Sequence, residues 1–316
     1  MAELNFFDVL SNLASLFLLI AVGWAAVKGK ILPAESSQVL TRLLMKITLP
    51  CTVFSSLVRE YDPAFLTDIL ICIVLGFVLF PMNALLARPL ARLCRVDPAH
   101  RGVWEFAATY CNNGFMGFPI ALALFGPEGL ALACVFGIPF NMLVYTWGAK
   151  VICGDVKDSK ADLSWKAMIL TSVNAATALG LIFYFGRLTP PAMVLSPIVH
   201  LANITTPLSM FITGMNLAKS SIAETFRSRD AITTSAARLI LLPLANFAVL
   251  MLANGIFRFR NPLIVGVLFV IMSMPCAAAT TTLAEMYGAD REFAARAVFI
   301  SSLFCIITLP VMSLLL

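Results

Sequence analysis

The chain has 316 residues, of which 60% are hydrophobic and only 12% charged, with a mean hydropathy of +0.92. That balance excludes an ordinary water-soluble globular domain. The formal net charge of +5 does not point to nucleic acid, because the basic residues fall in short segments between apolar runs instead of on one clustered face.

A spanning helix needs roughly 20 predominantly apolar residues. Such runs follow one another at 6–27, 38–58, 66–88, 102–125, 129–149, 166–186, 192–218, 231–254, 262–285 and 294–316. The runs are too long for barrel strands and lack their period-two alternation. The expected fold is therefore an all-α polytopic membrane protein with ten transmembrane helices. Glu3 and Asp8 precede the first run without any Lys or Arg, unlike a cleavable signal peptide, so the first helix is expected to be retained. The eight cysteines, at 51, 72, 94, 111, 134, 153, 276 and 305, never form C-x-x-C and mostly lie inside apolar runs, which argues against a disulfide framework or a metal site.

Basic residues set the orientation. Of the 22 Lys and Arg, only Arg59, Arg187, Arg258 and Arg260 belong to the even-numbered connections; the others, Arg238 included, fall with the odd-numbered ones. The positive-inside rule then makes the odd-numbered loops cytoplasmic and places both termini on the periplasmic side of an inner (plasma) membrane.

The chain also repeats itself. Pro50, in ITLPCTVFSSL, recurs as Pro207, in NITTPLSMFITGMNL, 157 positions on, and Pro119, in NNGFMGFPI, recurs as Pro275, in MSMPCAAATT, 156 positions on. Pro81-Met-Asn83 is echoed by Pro243-Leu-Ala-Asn246. Two five-helix halves follow, residues 1–150 and 166–316, joined by a polar cytoplasmic linker at 151–165. Five is odd, so the second half enters from the opposite side, and an inverted repeat of this kind points to a carrier whose site lies at the repeat interface.

The fourth run should break at its centre. Asn112-Asn113-Gly114 begins a stretch of weak helix formers, and Pro119 removes a backbone donor and disfavours helix at Phe118. A matching break is expected at Pro275 and Cys276, followed by Thr280, Thr281 and Thr282. Unwound backbone at membrane depth survives only when buried in protein or lining a wet cavity. Each break exposes N–H groups at a positive helix end, which favours an anion, and Asn112 and Asn113 add neutral donors from which cargo can be released. The candidate substrate-binding residues are Asn112, Asn113, Gly117, Pro119, Pro275, Cys276, Thr280 and Thr281, with Asn141, Tyr145 and Lys46 as further cavity-lining candidates. The alternative is a structural kink satisfied by neighbouring helices.

These residues carry a family resemblance. Asn112-Asn113-Gly-Phe-Met116-Gly117-Phe-Pro119 resembles the first crossover of the auxin efflux carrier family, and Pro275 with Ala284-Glu-Met-Tyr287-Gly288 resembles its second. Leu49-Pro50 and Gly214-Met-Asn-Leu217 are similar to the family's second and seventh spans. The resemblance, which covers essentially the whole chain, implies a scaffold of spans 1, 2, 6 and 7, a mobile transport unit of spans 3–5 and 8–10 working as an elevator, and a mono- or dicarboxylate cargo. PIN-type relatives further imply a homodimer through the scaffold helices. The distantly similar bile acid:sodium symporters place an acidic residue at the second crossover, where this chain has Cys276 and threonines, which disfavours a carboxylate-based sodium site.

No cofactor is implied, the partners are the small organic anion and the lipid bilayer, and the residues do not select between H+ and Na+ as coupling ion. An intramembrane enzyme would need a nucleophile with a base, or clustered metal ligands, and the chain has only His100, in a loop, and His200, in a helix. A receptor or channel on the same fold is the other alternative. His200 could couple protons but reads more naturally as a hydrogen-bonded structural residue. Glu105 and Glu285 read as interfacial, and Arg42 and Lys46 as snorkelling cations. Asn83 and Asn246 read as cavity lining or interhelical glue.

Overall fold

The computed structural model describes residues 6–153, 171–219 and 225–316. Lys157, Lys160, Lys166, most of the 151–165 linker and the start of the sixth apolar run lie outside the described residues. Among the described residues every regular element is helical, and seven helical segments are long and apolar enough to cross a membrane. The protein is an all-helical multi-pass membrane protein.

In chain order the helices are α1 (Phe6–Lys28), α2 (Ser36–Leu43), α3 (Leu49–Leu57), α4 (Pro63–Leu93), α5 (Arg101–Thr109), α6 (Phe118–Leu143), α7 (Ala149–Cys153), α8 (Ser172–Phe185), α9 (Ala192–Lys219), α10 (Arg229–Ala236), α11 (Leu242–Phe257), α12 (Leu263–Met272), α13 (Ala279–Met286) and α14 (Arg291–Ser313). Wide π-turns link α2 to α3 (Leu44–Thr48), lead into α6 (Asn113–Gly117), link α6 to α7 (Val144–Gly148) and link α10 to α11 (Ala237–Leu241). Three of these four immediately precede Pro50, Pro119 and Pro243. A proline ring clashes with the carbonyl four residues back. Those carbonyls belong to Lys46, Phe115 and Leu239, inside the π-turns, so widening the helix there relieves the clash.

Helix ends follow familiar rules. Asp62 caps α4 by accepting from the Ala64 N–H at 2.8 Å with Pro63 in the first turn, and Asp290 caps α14 by accepting from Phe293 N–H at 2.8 Å. The run α6 turns sharply at Gly126, whose φ of 69° and ψ of −167° belong to a region that only glycine occupies readily.

The most extensive helix pair is α1 against α9. Gly23 and Gly214 let the two backbones touch, since a Cβ on either would collide with the carbonyl of Phe211 or Ile20 on the other helix. Small residues at such crossings are the usual device where lipid removes the hydrophobic drive for association. From α3, Thr52 Oγ1 bonds to Thr205 Oγ1 of α9 at 2.6 Å, and Leu57 packs on Gly180 of α8. The deepest burial lies elsewhere, in the short helices α5 and α12 and in the segments that follow them.

Contacts at both ends tie the first half to the second. At one end the amide of Asn261 donates to Asp68 Oδ2 and Glu128 Oε1, each at 2.9 Å. At the other, His100 sits between Asp230 (2.8 Å) and Asp290 (3.3 Å) and stacks on Phe293 at 4.3 Å. Glu105 is buried instead of exposed, with Arg88 Nε 3.5 Å away. Glu285 is exposed and pairs with Arg291 at 3.1 Å. His200 is exposed, with Nε2 in a hydrogen bond to Ser196 Oγ at 3.4 Å.

Candidate functional site

Helix α5 stops at Thr109 and α12 stops at Met272, both deep inside the protein. The chain beyond each is extended, and the two segments cross as a short antiparallel bridge between Cys111 and Cys276. Asn112 N–H donates to the Pro275 carbonyl at 2.8 Å, and Ala277 N–H donates to the Tyr110 carbonyl at 3.0 Å. Helix resumes at Asn113 on one side and Ala279 on the other. Four helix ends therefore meet at one place, two presenting carbonyls and two presenting N–H groups.

The carbonyl ends are closed by one side chain. Arg238, carried on the π-turn before Pro243, is fully buried. Its Nη1 donates to the Ala108 and Thr109 carbonyls at 3.0 and 3.1 Å, its Nε to the Met274 carbonyl at 3.1 Å, and its Nη2 to the Met272 carbonyl. A guanidinium offers five donors in a fixed fork, and here they reach the ends of both α5 and α12. Among the described residues no carboxylate forms an ion pair with it. The positive-inside reading placed Arg238 with the cytoplasmic cations, and the structure corrects that. Its signal in the sequence is a lone cation within an apolar run, five residues before a proline.

The N–H ends face a cavity of about 120 Å³. Asn112, Asn113, Gly114 and Phe115 line it from the first crossing, Ala277, Ala278 and Ala279 from the second, and Met45, Leu49, Thr171 and Val173 from the helices opposite. The first N–H groups of a helix have no intrahelical partner, and those of Gly114, Phe115 and Ala278 lie at this wall. Among the described residues the Asn112 carboxamide makes no hydrogen bond, and Asn113 Oδ1 is buried with none.

Of the other sequence candidates, Asn141 and Tyr145 line the cavity, and Asn141 Nδ2 bonds to Asn174 Oδ1 on α8 at 2.7 Å. Asn174 escaped sequence reasoning because its partner is 33 residues away on another helix. Lys46 is not brought to the cavity: it is exposed, and the π-turn presents Met45 and Leu49 in its place. Gly117, Pro119, Pro275 and Cys276 are buried behind the wall. The Cys276 N–H donates to Ser301 Oγ at 3.1 Å. Thr280 and Thr281 turn back on their own helix, bonding to the Ala277 (2.6 Å) and Ala278 (3.0 Å) carbonyls. Asn83 and Asn246 are fully buried away from the cavity, and among the described residues their carboxamides have no hydrogen-bond partner.

The membrane transport protein family matches residues 8–164 and 161–313, nearly the whole chain. An uncharacterized transporter of Methanocaldococcus jannaschii is 27% identical over 298 residues, covering 92% of this chain and 94% of that protein. An uncharacterized transporter of Methanothermobacter thermautotrophicus is 24% identical over 302 residues, covering 96% of each. With the two crossing segments carrying the residues of the resemblance, the chain belongs to the auxin efflux carrier family of membrane transport proteins.

Proposed function

We propose that the protein is a secondary carrier that moves a small organic anion, a mono- or dicarboxylate, across a bacterial inner membrane. The observation that carries this reading is Arg238. A helix end bears roughly half an elementary charge, so two carbonyl ends and two N–H ends meeting at one place would largely cancel. Arg238 neutralises the carbonyl ends, which leaves the N–H ends to set the sign of the potential in the cavity. The remaining field is positive. The cavity wall itself supplies neutral amides instead of fixed cations, so a carboxylate is attracted and can still leave. Its volume of about 120 Å³ is well below the roughly 300–1,000 Å³ of sites for drug-sized ligands, in keeping with a small solute.

In this reading the chain crosses the membrane ten times as a 5+5 inverted repeat, and α5–α6 and α12–α13 are its two broken, crossing helices. Spans 1, 2, 6 and 7 form the scaffold, locked by the Gly23–Gly214 contact and able to pair with a second copy. Spans 3–5 and 8–10 move against it as an elevator. The cavity's position supports this division, because residues of both groups line it and the Asn141–Asn174 bond joins them. Both termini are periplasmic. Cys94 and Cys153, partly exposed free thiols, should then react with an impermeant reagent only after the membrane is opened, and labelling of either from outside intact cells reverses the orientation.

Asn112 tests the site. Asn112→Asp sets like charge against the cargo, and substrate binding should collapse. Asn112→Ala loses one charge-assisted hydrogen bond, worth about 1.5–3 kcal/mol, so affinity should fall roughly 10- to 150-fold in well-folded protein. Substrate-induced thermal shift and proteoliposome uptake read both variants. Normal affinity in folded Asn112→Asp would sink the assignment.

A further inference from the structure

A second, larger recess lies at the far end of α5 from the crossing. Its volume is about 380 Å³, and its charged lining is Arg88 and Arg92 from α4, Arg101 and Glu105 from α5, and Lys150 from α7. Four cations from three helices thus surround the first turn of α5, facing a single carboxylate. Glu105 is 3.5 Å from Arg88 Nε, and none of the ion pairs among the described residues includes Arg92, Arg101 or Lys150.

Interfacial arginines ordinarily turn their heads to water. Arg101 does not do so completely: its Nε is buried and, among the described residues, has no hydrogen-bond partner. A buried donor left unmade is costly, and such groups usually mark a missing acceptor. The planar guanidinium fork pairs with two oxygens of a tetrahedral phosphate at once, a match no other side chain offers. The N-terminal turn of α5 adds its positive end to the same recess.

We propose that this recess is a binding site for a phosphate-bearing anion, independent of the transported solute. The phosphate sits among Arg92, Arg101 and Lys150. In the orientation above, the recess lies at the level of the cytoplasmic headgroups, where an anionic phospholipid supplies that chemistry; a soluble phosphate supplies it too, and the test separates them.

The full-length protein is placed in nanodiscs of phosphatidylcholine alone or with phosphatidylglycerol, and lipid retained after extraction is counted by native mass spectrometry. In parallel, thermal shift is titrated with inorganic phosphate against potassium chloride of equal ionic strength. Each surface cation contributes about 1 kcal/mol to anionic lipid attraction, roughly a five-fold effect. Arg92→Gln/Lys150→Gln, two exposed positions, should therefore lower phosphatidylglycerol retention about 25-fold and leave the melting temperature in phosphatidylcholine unchanged. Arg101→Gln, which removes one cation, should lower retention about five-fold, and if it does not fold the double variant decides. Retention of phosphatidylglycerol without a phosphate shift supports the lipid source, and a phosphate shift beyond the chloride control, lost in the double variant, supports the soluble one. Neither signal in the wild type, or equal signals in wild type and double variant, overturns the proposal.

Discussion

The two crossing segments share a backbone path and differ in what they offer. The first, around Tyr110–Asn112, brings two asparagines to the cavity with unbonded carboxamide atoms. The second, around Pro275–Ala278, brings only alanines, and its hydroxyls at Thr280 and Thr281 are spent on their own helix. The helices that support them differ in the same way. Arg238 stands five residues before Pro243, whereas Gly76 stands five before Pro81, its Cα packed so that a Cβ would lie 2.8 Å from Pro139. One crossing segment is therefore polar and the other offers backbone, and under the proposed function a single arginine, matched by Gly76 in the other half, sets the charge of their shared centre.

That contrast can be broken from either side. The largest effect is expected at Arg238→Met, which strips four buried carbonyls of their donor. At about 1–3 kcal/mol for each unpaired group, the loss rivals the entire stability of a typical domain, so little monodisperse protein should survive size-exclusion chromatography. Arg238→Lys should fold with a lowered melting temperature. A stable Arg238→Met that still transports would refute its role. Gly76→Ala, at the matched position, should cost only about 1–3 kcal/mol by overpacking against Pro139.

Within the crossings, Asn113→Ala should weaken substrate affinity roughly 2- to 13-fold, the equivalent of one ordinary hydrogen bond, with little change in thermal stability. Thr280→Val should do the reverse, lowering stability by about 1 kcal/mol and leaving affinity intact. An affinity loss at Thr280 would make the two segments chemically equal. The Asn141–Asn174 link should show a coupling of about 0.6 kcal/mol, and no more than about 1.7, in a double-mutant cycle of melting temperatures. Thr281→Ala should change uptake least, with stability altered by less than about 0.5 kcal/mol.

Much of this was legible because it is local. Apolar runs located the helices, and Pro119, Pro275 and Asn112-Asn113-Gly114 located the segments that cross. Proline chemistry also explains three π-turns, although the sequence does not say which side chain each widened turn brings inward. At Pro50 it brought Met45 and Leu49 to the cavity and left Lys46 outside; at Pro243 it buried Arg238. The partners of Arg238 are backbone carbonyls up to 130 residues away, and carbonyls leave no mark in a sequence. The burial of Glu105 left no local mark for the same reason, since its neighbour Arg88 belongs to a different helix.

The central claim is that the crossing holds negative charge, and substrate counterflow in proteoliposomes tests it most directly. Vesicles preloaded with a small dicarboxylate should accumulate its radiolabelled form saturably, and mono- or dicarboxylates should compete, whereas amides of the same shape should not. Competition by the neutral amides as strong as by the acids, or uptake that never saturates, would contradict an anion carrier built on this crossing.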